Sequence, residues 1–195
     1  MTTATVGDLR ADLADYSERL QAALKGADLS GIGKLAEAML ECWRGGHDLY
    51  LCGNGGSAGN AVHLANDLIY GIAKGKGPGM RAHALSANTA ILTCLANDLD
   101  YSQIFSAQLD VYGRTDDLLV VLSGSGNSPN ILRAIEQAKA RGMKTFAIVG
   151  YSGGKAKAMV DVPIHFAVDD MQIAEDLQLV AGHMVMQWLY RQRPG

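Results

Sequence analysis

The sequence predicts an α/β protein, with a flavodoxin-like five-stranded parallel sheet, helices on both faces, and N-terminal helices ahead of it. Three observations carry this reading. Five short apolar runs have strand length: Asp48 to Cys52, Arg81 to Leu85, Leu118 to Leu122, Thr145 to Val149 and Val162 to Val168. Helical patterns separate them, at about 57–72, 88–96, 102–112, 129–141 and 155–160, and an amphipathic helix follows at about 174–191. Two of the runs lead directly into Gly/Ser-rich segments, at the carboxyl end of a strand, where open parallel sheets bind ligands.

Residues 5–45 read as helix. Leu9, Leu13, Tyr16, Leu20 and Leu24 recur at spacings of three and four. A second stretch follows Asp28 and Ser30, with Ile32, Leu35, Ala36, Met39 and Leu40 on one face, and stops at Gly45-Gly46. With 195 residues, 48% of them hydrophobic, the chain can bury one sizeable core, so residues 1–195 are expected to form a single domain. The N-terminal helices, residues 1–45, offer more apolar face than a small sheet can cover and are expected to pack in an oligomer.

Charge narrows the function. The net charge is −3, the pI is about 5.9, and the basic residues are scattered apart from Lys74 and Lys76. A nucleic-acid partner is therefore not expected, and any anion site must be local, built from backbone N–H groups and hydroxyls. The first residues, Met1 to Asp12, are polar and resemble no signal peptide. No apolar run reaches the ~18 residues needed to span a bilayer. A cytoplasmic protein is expected. The odd count of widely spaced cysteines, Cys42, Cys52 and Cys94, argues for reduced thiols rather than a disulfide framework, and all three are expected to be buried fillers.

The strongest local signal is the apolar run that ends in Ser123-Gly124-Ser125-Gly126-Asn127-Ser128, with Pro129 in the first turn of the next helix. A helix N-terminus offers unpaired N–H groups and a positive dipole end. Glycines let those groups converge on an anion, and serines add donors without adding charge. An ordinary turn capped by Ser128 would not need so many hydroxyls, so a phosphate is expected here. Asn54-Gly55-Gly56-Ser57, after the first strand, repeats the logic and makes a second wall of the same pocket. It is neither a Walker loop nor a dinucleotide fingerprint, because the spacing differs and no lysine follows.

His63 and Asp67 stand four apart on one helix face, a spacing that serves equally as a metal half-site or an ion pair. His183 lies among apolar neighbours on the last helix, where a buried histidine with one satisfied hydrogen bond is the plainer possibility. Asn97-Asp98 closes a helical stretch and could be capping residues.

The two glycine–serine loops and Asn97-Asp98 together resemble the sugar isomerase (SIS) domain family over nearly the whole chain, and the histidines resemble its phosphoheptose isomerase branch. That resemblance implies an aldose–ketose isomerase. It would convert sedoheptulose 7-phosphate to D-glycero-D-manno-heptose 7-phosphate, the first step of heptose precursor biosynthesis for lipopolysaccharide or capsule. The phosphate would rest on Ser57, Ser123, Gly124, Ser125 and Ser128, and the sugar hydroxyls on Asn97 and Asp98. Four positions match the branch's zinc-binding group: His63, Asp67, Glu175 and His183. Asp67 and His183 would form the acid/base pair. Asp67 stands where the family has glutamate and Glu175 where it has glutamine. Eight helical residues separate Glu175 from His183, about 12 Å. Glu175 could join the metal only from outside the regular helix or from another subunit, and Gln178 is the alternative ligand. The resemblance also implies a homotetramer with active sites at subunit interfaces. The alternatives are an isomerase for another sugar phosphate, suggested by the two replacements, and a non-catalytic binding protein of the kind that associates with the replication initiator.

Overall fold

The computed structural model describes residues 6–192, so residue 5, where helix was expected to begin, lies outside the described residues. The chain runs α1 (Val6–Lys25), α2 (Ser30–Gly45), β1 (Asp48–Cys52), α3 (Gly56–Asn66), β2 (Arg81–Ala84), α4 (Thr89–Asp98), α5 (Ser106–Tyr112), β3 (Leu118–Ser123), α6 (Pro129–Ala140), β4 (Lys144–Val149), α7 (Gly154–Met159), β5 (Val162–His165) and α8 (Met171–Arg191). All four strand pairings are parallel, in the order β2-β1-β3-β4-β5. This is the flavodoxin-like order expected, and the sheet is sandwiched between helices.

The period of two along each strand divides the core into two layers. Leu49, Leu51, Leu118, Val120 and Leu122 point to one side, where they meet Leu35 and Met39 of α2, Leu64 of α3, and Ile173, Leu177 and Val185 of α8. Tyr50, Cys52, Leu119 and Val121 point to the other, against Leu109 of α5 and Ile131, Ala134 and Ile135 of α6. β1 and β3 are buried at every residue, which explains why they read as unbroken apolar runs. The chain leaves β1 toward β2 on one side and reaches β3 on the other. The loops after β1 and β3 therefore open side by side at the switch point of the sheet.

Several boundaries differ from expectation. The stretch 57–72 is not one regular helix: α3 ends at Asn66 and a π-helical turn, Asp67–Gly71, follows, with the Ile72 amide donating to the Asp67 carbonyl at 3.0 Å. The stretch 102–112 divides into a 3₁₀ turn, Tyr101–Gln103, and the shorter α5, because Asp100 accepts a bond from the Ser102 amide at 2.8 Å and starts a separate turn. The last strand stops at His165. α8 starts earlier than expected, since Asp170 caps it by accepting from the Ile173 amide at 3.1 Å. α1 clasps this same end: Arg19 pairs with Asp170 at 2.5 Å, and the Tyr16 hydroxyl donates to Asp176 at 2.6 Å. That bond holds the Tyr16 proton and pushes its pKa up to about 12. Among the described residues no helix is long and apolar enough to cross a membrane.

The cysteines do not behave alike. Cys42 and Cys52 are buried, and burial drives both thiols upward, Cys42 to about 12. Cys94 is exposed, contrary to expectation, because no residue of α4 is buried in the chain. Its thiol is raised mainly by the hydrogen bond it donates to Asp98. Titration of the native protein with a disulfide reagent should therefore modify one of the three thiols, slowly at neutral pH. Cys94→Ser should abolish that reaction, while unfolding should expose the other two.

Candidate active site

The loop after β3 is built from its own side chains. Ser123 is buried, and its Oγ accepts from the Gly126 amide at 3.1 Å. The Ser125 Oγ accepts from the Asn127 amide at 3.3 Å. Asn127 in turn accepts from the Lys155 amide at 3.0 Å, tying the loop to α7. Ser128 occupies the N-cap position of α6 but makes no side-chain cap bond, so its hydroxyl is not spent on the helix. Gly126 has φ +65°, and a Cβ there would fall on the carbonyl oxygen of Gly153. No larger residue fits.

The loop after β1 is fastened to this one. Asn54 and Asn130 exchange two amide hydrogen bonds, at 2.9 and 2.8 Å, and the Tyr101 hydroxyl donates to the Asn54 Oδ1 at 3.1 Å. Asn130 is 1% exposed. Sequence reasoning missed it: its place after Pro129 marks a helix start, but nothing local pairs it with a residue 76 positions away. Gly55 and Gly56 are exposed at the start of α3, and Ser57 is buried in its first turn.

α8 lies parallel to α3 and crosses both loops. Four of its residues meet successive parts of the site. Met171 backs Gly124, the Glu175 carboxylate covers Gly56, the Gln178 Nε2 donates to the Ser57 Oγ at 3.0 Å, and the His183 Nε2 meets the His63 Nε2 at 3.0 Å. The Asp67 Oδ2 stands 3.5 Å from each of these histidine nitrogens. His63, Asp67 and His183 thus aim three donor atoms at one point. Three donors of a tetrahedral zinc at bonds of 2.0–2.1 Å would stand about 3.3 Å apart. The observed triangle, with edges of 3.0, 3.5 and 3.5 Å, has the dimensions and the N/N/O chemistry of such a site. It is open on one side: the imidazole side chains are 48% and 40% exposed, the carboxylate 17%. His183 is therefore not the buried core histidine that its apolar neighbours allowed.

Glu175 does not join this group within the chain. It is the fifth residue of the regular helix α8, about 12 Å along the axis from His183, and its carboxylate rests at the amino end of α3. Gln178 does not join it either: its Oε1 accepts from Asn60 at 2.9 Å while its Nε2 serves Ser57. Asn97 and Asp98 lie at the exposed end of α4, and their side-chain bonds stay within that helix, Asn97 to Asp98 at 2.7 Å and Cys94 to Asp98 at 3.4 Å.

Two hydroxyl-rich loops at the carboxyl ends of β1 and β3, beside a His/Asp/His cluster, match the arrangement expected of an SIS domain. Residues 13–150 match the model of the SIS domain. A phosphoheptose isomerase of Desulfovibrio desulfuricans is 40% identical over 146 residues, covering 75% of this chain and 69% of the relative. One from Chlorobaculum parvum is 38% identical over 176 residues, covering 88% and 83%. Among solved structures, a phosphoheptose isomerase from Francisella tularensis superposes with a TM-score of 0.89 at 27% identity over 98% of this chain and all of the other. That from Neisseria gonorrhoeae gives 0.84 at 31% identity, over 93% and 96%. The chain belongs to the SIS domain family, in its phosphoheptose isomerase branch.

The crowding at Gly126 gives a test of the loop. Gly126→Ala forces a left-handed backbone onto alanine, at about 1–3 kcal/mol, and adds the clash with Gly153. It should lower the denaturation midpoint and weaken binding of inorganic phosphate, both read by thermal melting with and without phosphate.

Proposed function

We propose that the protein isomerises sedoheptulose 7-phosphate to D-glycero-D-manno-heptose 7-phosphate. The observation that carries this is the spacing along α3. Ser57, at the phosphate end, and His63, at the cluster, are six residues apart, about 9 Å, which suits a sugar phosphate held by its phosphate with C1 and C2 at the cluster. Ser57, Ser123, Ser125 and Ser128 supply hydroxyl donors to the phosphate, and the amides of Asn54, Gly55, Gly56 and Gly124 frame it. Asn97 and Asp98 are assigned to the sugar hydroxyls, which requires their bonds within α4 to be exchanged for bonds to substrate or to lie near the site of another subunit.

The chemistry is a proton transfer between adjacent carbons. Asp67 takes a proton from C1 and returns one to C2, while His183 carries the proton that O1 loses and O2 gains, so the atoms balance through an enediol. His63, Asp67 and His183 would hold a divalent cation, zinc on their donor set, and a cation there would polarise the carbonyl. The Asp67 side chain is one methylene shorter than the family's glutamate, yet its carboxylate still reaches both histidines. Glu175 is assigned to the substrate mouth over Gly56. Its part as a fourth metal ligand is possible only from another subunit.

A cytoplasmic homotetramer, with the N-terminal helices in its contacts, completes the proposal. Leu9 and Leu13 on α1 and Val111 on α5 are 54%, 63% and 74% exposed, apolar surface that a second copy would cover. One domain spanning 1–195 remains the expected organisation.

Purified protein incubated with sedoheptulose 7-phosphate and zinc should yield the aldoheptose phosphate by NMR, and no turnover would sink the proposal. Asp67→Asn should reduce kcat by roughly 10²–10⁴-fold; undiminished turnover would remove only the role given to Asp67. His63→Ala and His183→Ala should each lose bound metal, measured by elemental analysis, with little change in the far-UV spectrum.

A further inference from the structure

Gln178 is 1% exposed and Ser57 3% exposed, and the reaction as proposed uses only the second. The amide nevertheless belongs to a chain of hydrogen bonds whose direction is fixed at one end. The Asn60 Nδ2 donates to the backbone carbonyl of Glu175 at 3.0 Å and to the Gln178 Oε1 at 2.9 Å. A backbone carbonyl can only accept, so Asn60 must present its amino group to both partners. Gln178 must then turn its oxygen toward Asn60 and its amino group toward Ser57, to which it donates at 3.0 Å. Ser57 accepts, and the proton of its own hydroxyl is left to donate elsewhere.

We propose that Gln178 is a positioning residue that sets the polarity of Ser57, holding the serine as a proton donor toward the phosphate of the substrate. This rests on the assignment of Ser57 to that phosphate. A helical serine free of such a partner can turn its hydroxyl back onto the carbonyl four residues earlier, here Gly53 in the loop itself, and a proton spent there is lost to the ligand. With the acceptor position of Ser57 already filled by α8, donation to an anion keeps every group in the chain satisfied. Donation to a charged acceptor is the strong kind of hydrogen bond. The same chain explains why Gln178 is no metal ligand: both ends of its amide are committed.

Two isosteres separate this from a merely structural role. Gln178→Met removes the donor. Gln178→Glu keeps the size and the acceptor facing Asn60, but reverses the bond to Ser57, which must now donate to the carboxylate. Each should weaken inhibition by inorganic phosphate and raise KM for sedoheptulose 7-phosphate about tenfold, with kcat changed far less. Melting curves identify any variant that has not folded. In a Ser57→Ala background the neutral Gln178→Met should have no further effect on phosphate. If Ser57→Ala weakens phosphate binding but folded Gln178→Met and Gln178→Glu bind it as the parent does, the relay is wrong. A Gln178→Met loss that simply adds to that of Ser57→Ala would overturn it too. If Ser57→Ala itself leaves phosphate binding unchanged, the assignment of Ser57 fails and takes the relay with it.

Discussion

The alignment of α8 along α3 is the constraint on which the site depends. Neither helix carries a complete function. α3 supplies Ser57 and His63, with Asp67 at its carboxyl end, and α8 supplies Gln178 and His183. Because the helices run parallel, the six-residue step from 57 to 63 on one runs alongside the five-residue step from 178 to 183 on the other, and both pairs meet. The apolar residues beside these pairs, Leu64 of α3 and Leu177, Ala181 and Val185 of α8, are buried in the layer over the sheet. Packing of that density allows little sliding. The hydrophobic core thus sets the distance between the phosphate end and the histidine end, and the polar residues only occupy positions already determined.

A protein of net charge −3 has to attract a phosphate without help from its overall field. The solution is local. The loops after β1 and β3 open at helix amino ends, where N–H groups are unpaired and the dipole is positive, and the reciprocal Asn54–Asn130 amides fasten the two loops together. Serines add donors that need no counter-ion. Glu175 sits in the same field, its carboxylate over Gly56. An acidic group at a helix amino end is favoured in the free protein by the dipole that also favours the phosphate. The carboxylate and a ligand anion therefore draw on one source of attraction, and a glutamine at this position would not compete in that way.

Much of this was legible in the sequence because it is local. The strands were unbroken apolar runs, the Gly/Ser-rich loop after β3 announced itself by composition, and His63 and Asp67 declared a shared face by their spacing. What escaped depends on contacts between distant segments or on backbone geometry without a compositional mark. The π-helical turn at Asp67–Gly71 keeps helical periodicity on both sides, so a pattern of apolar residues runs through it unchanged. Asn130 looks like an ordinary polar residue near a helix start, and Gln178 offered itself only as an alternative metal ligand; their contacts exist only through Asn54, Asn60 and Ser57. The exposure of Cys94 follows from its place on α4: Leu92, Leu95 and Ala96 pack against the core, and Cys94 lies off that face. Glu175 shows the opposite case: its separation from His183 was readable as helical rise, and the regular start of α8 at Met171 turns that distance into a bar to sharing one site within a chain.

The π-helical turn begins at the residue asked to do most. Asp67 is assigned both to a cation and to proton transfer, two roles that would conflict if the carboxylate had one oxygen. It has two, and they stand differently. The Oδ2 is 3.5 Å from each histidine nitrogen and closes the triangle, whereas among the described residues the Oδ1 has only the Asn66 amide, at 3.5 Å, a distance at which a hydrogen bond is weak. One oxygen can therefore face the cluster while the other remains open to a substrate carbon. A π-turn widens the helix by one residue, and such turns recur at functional sites. Here the widening starts where a shorter acid must reach two imidazoles and still turn an oxygen outward. On the proposed assignment, the demands of binding and of proton transfer would fall on different atoms of one side chain rather than on different residues.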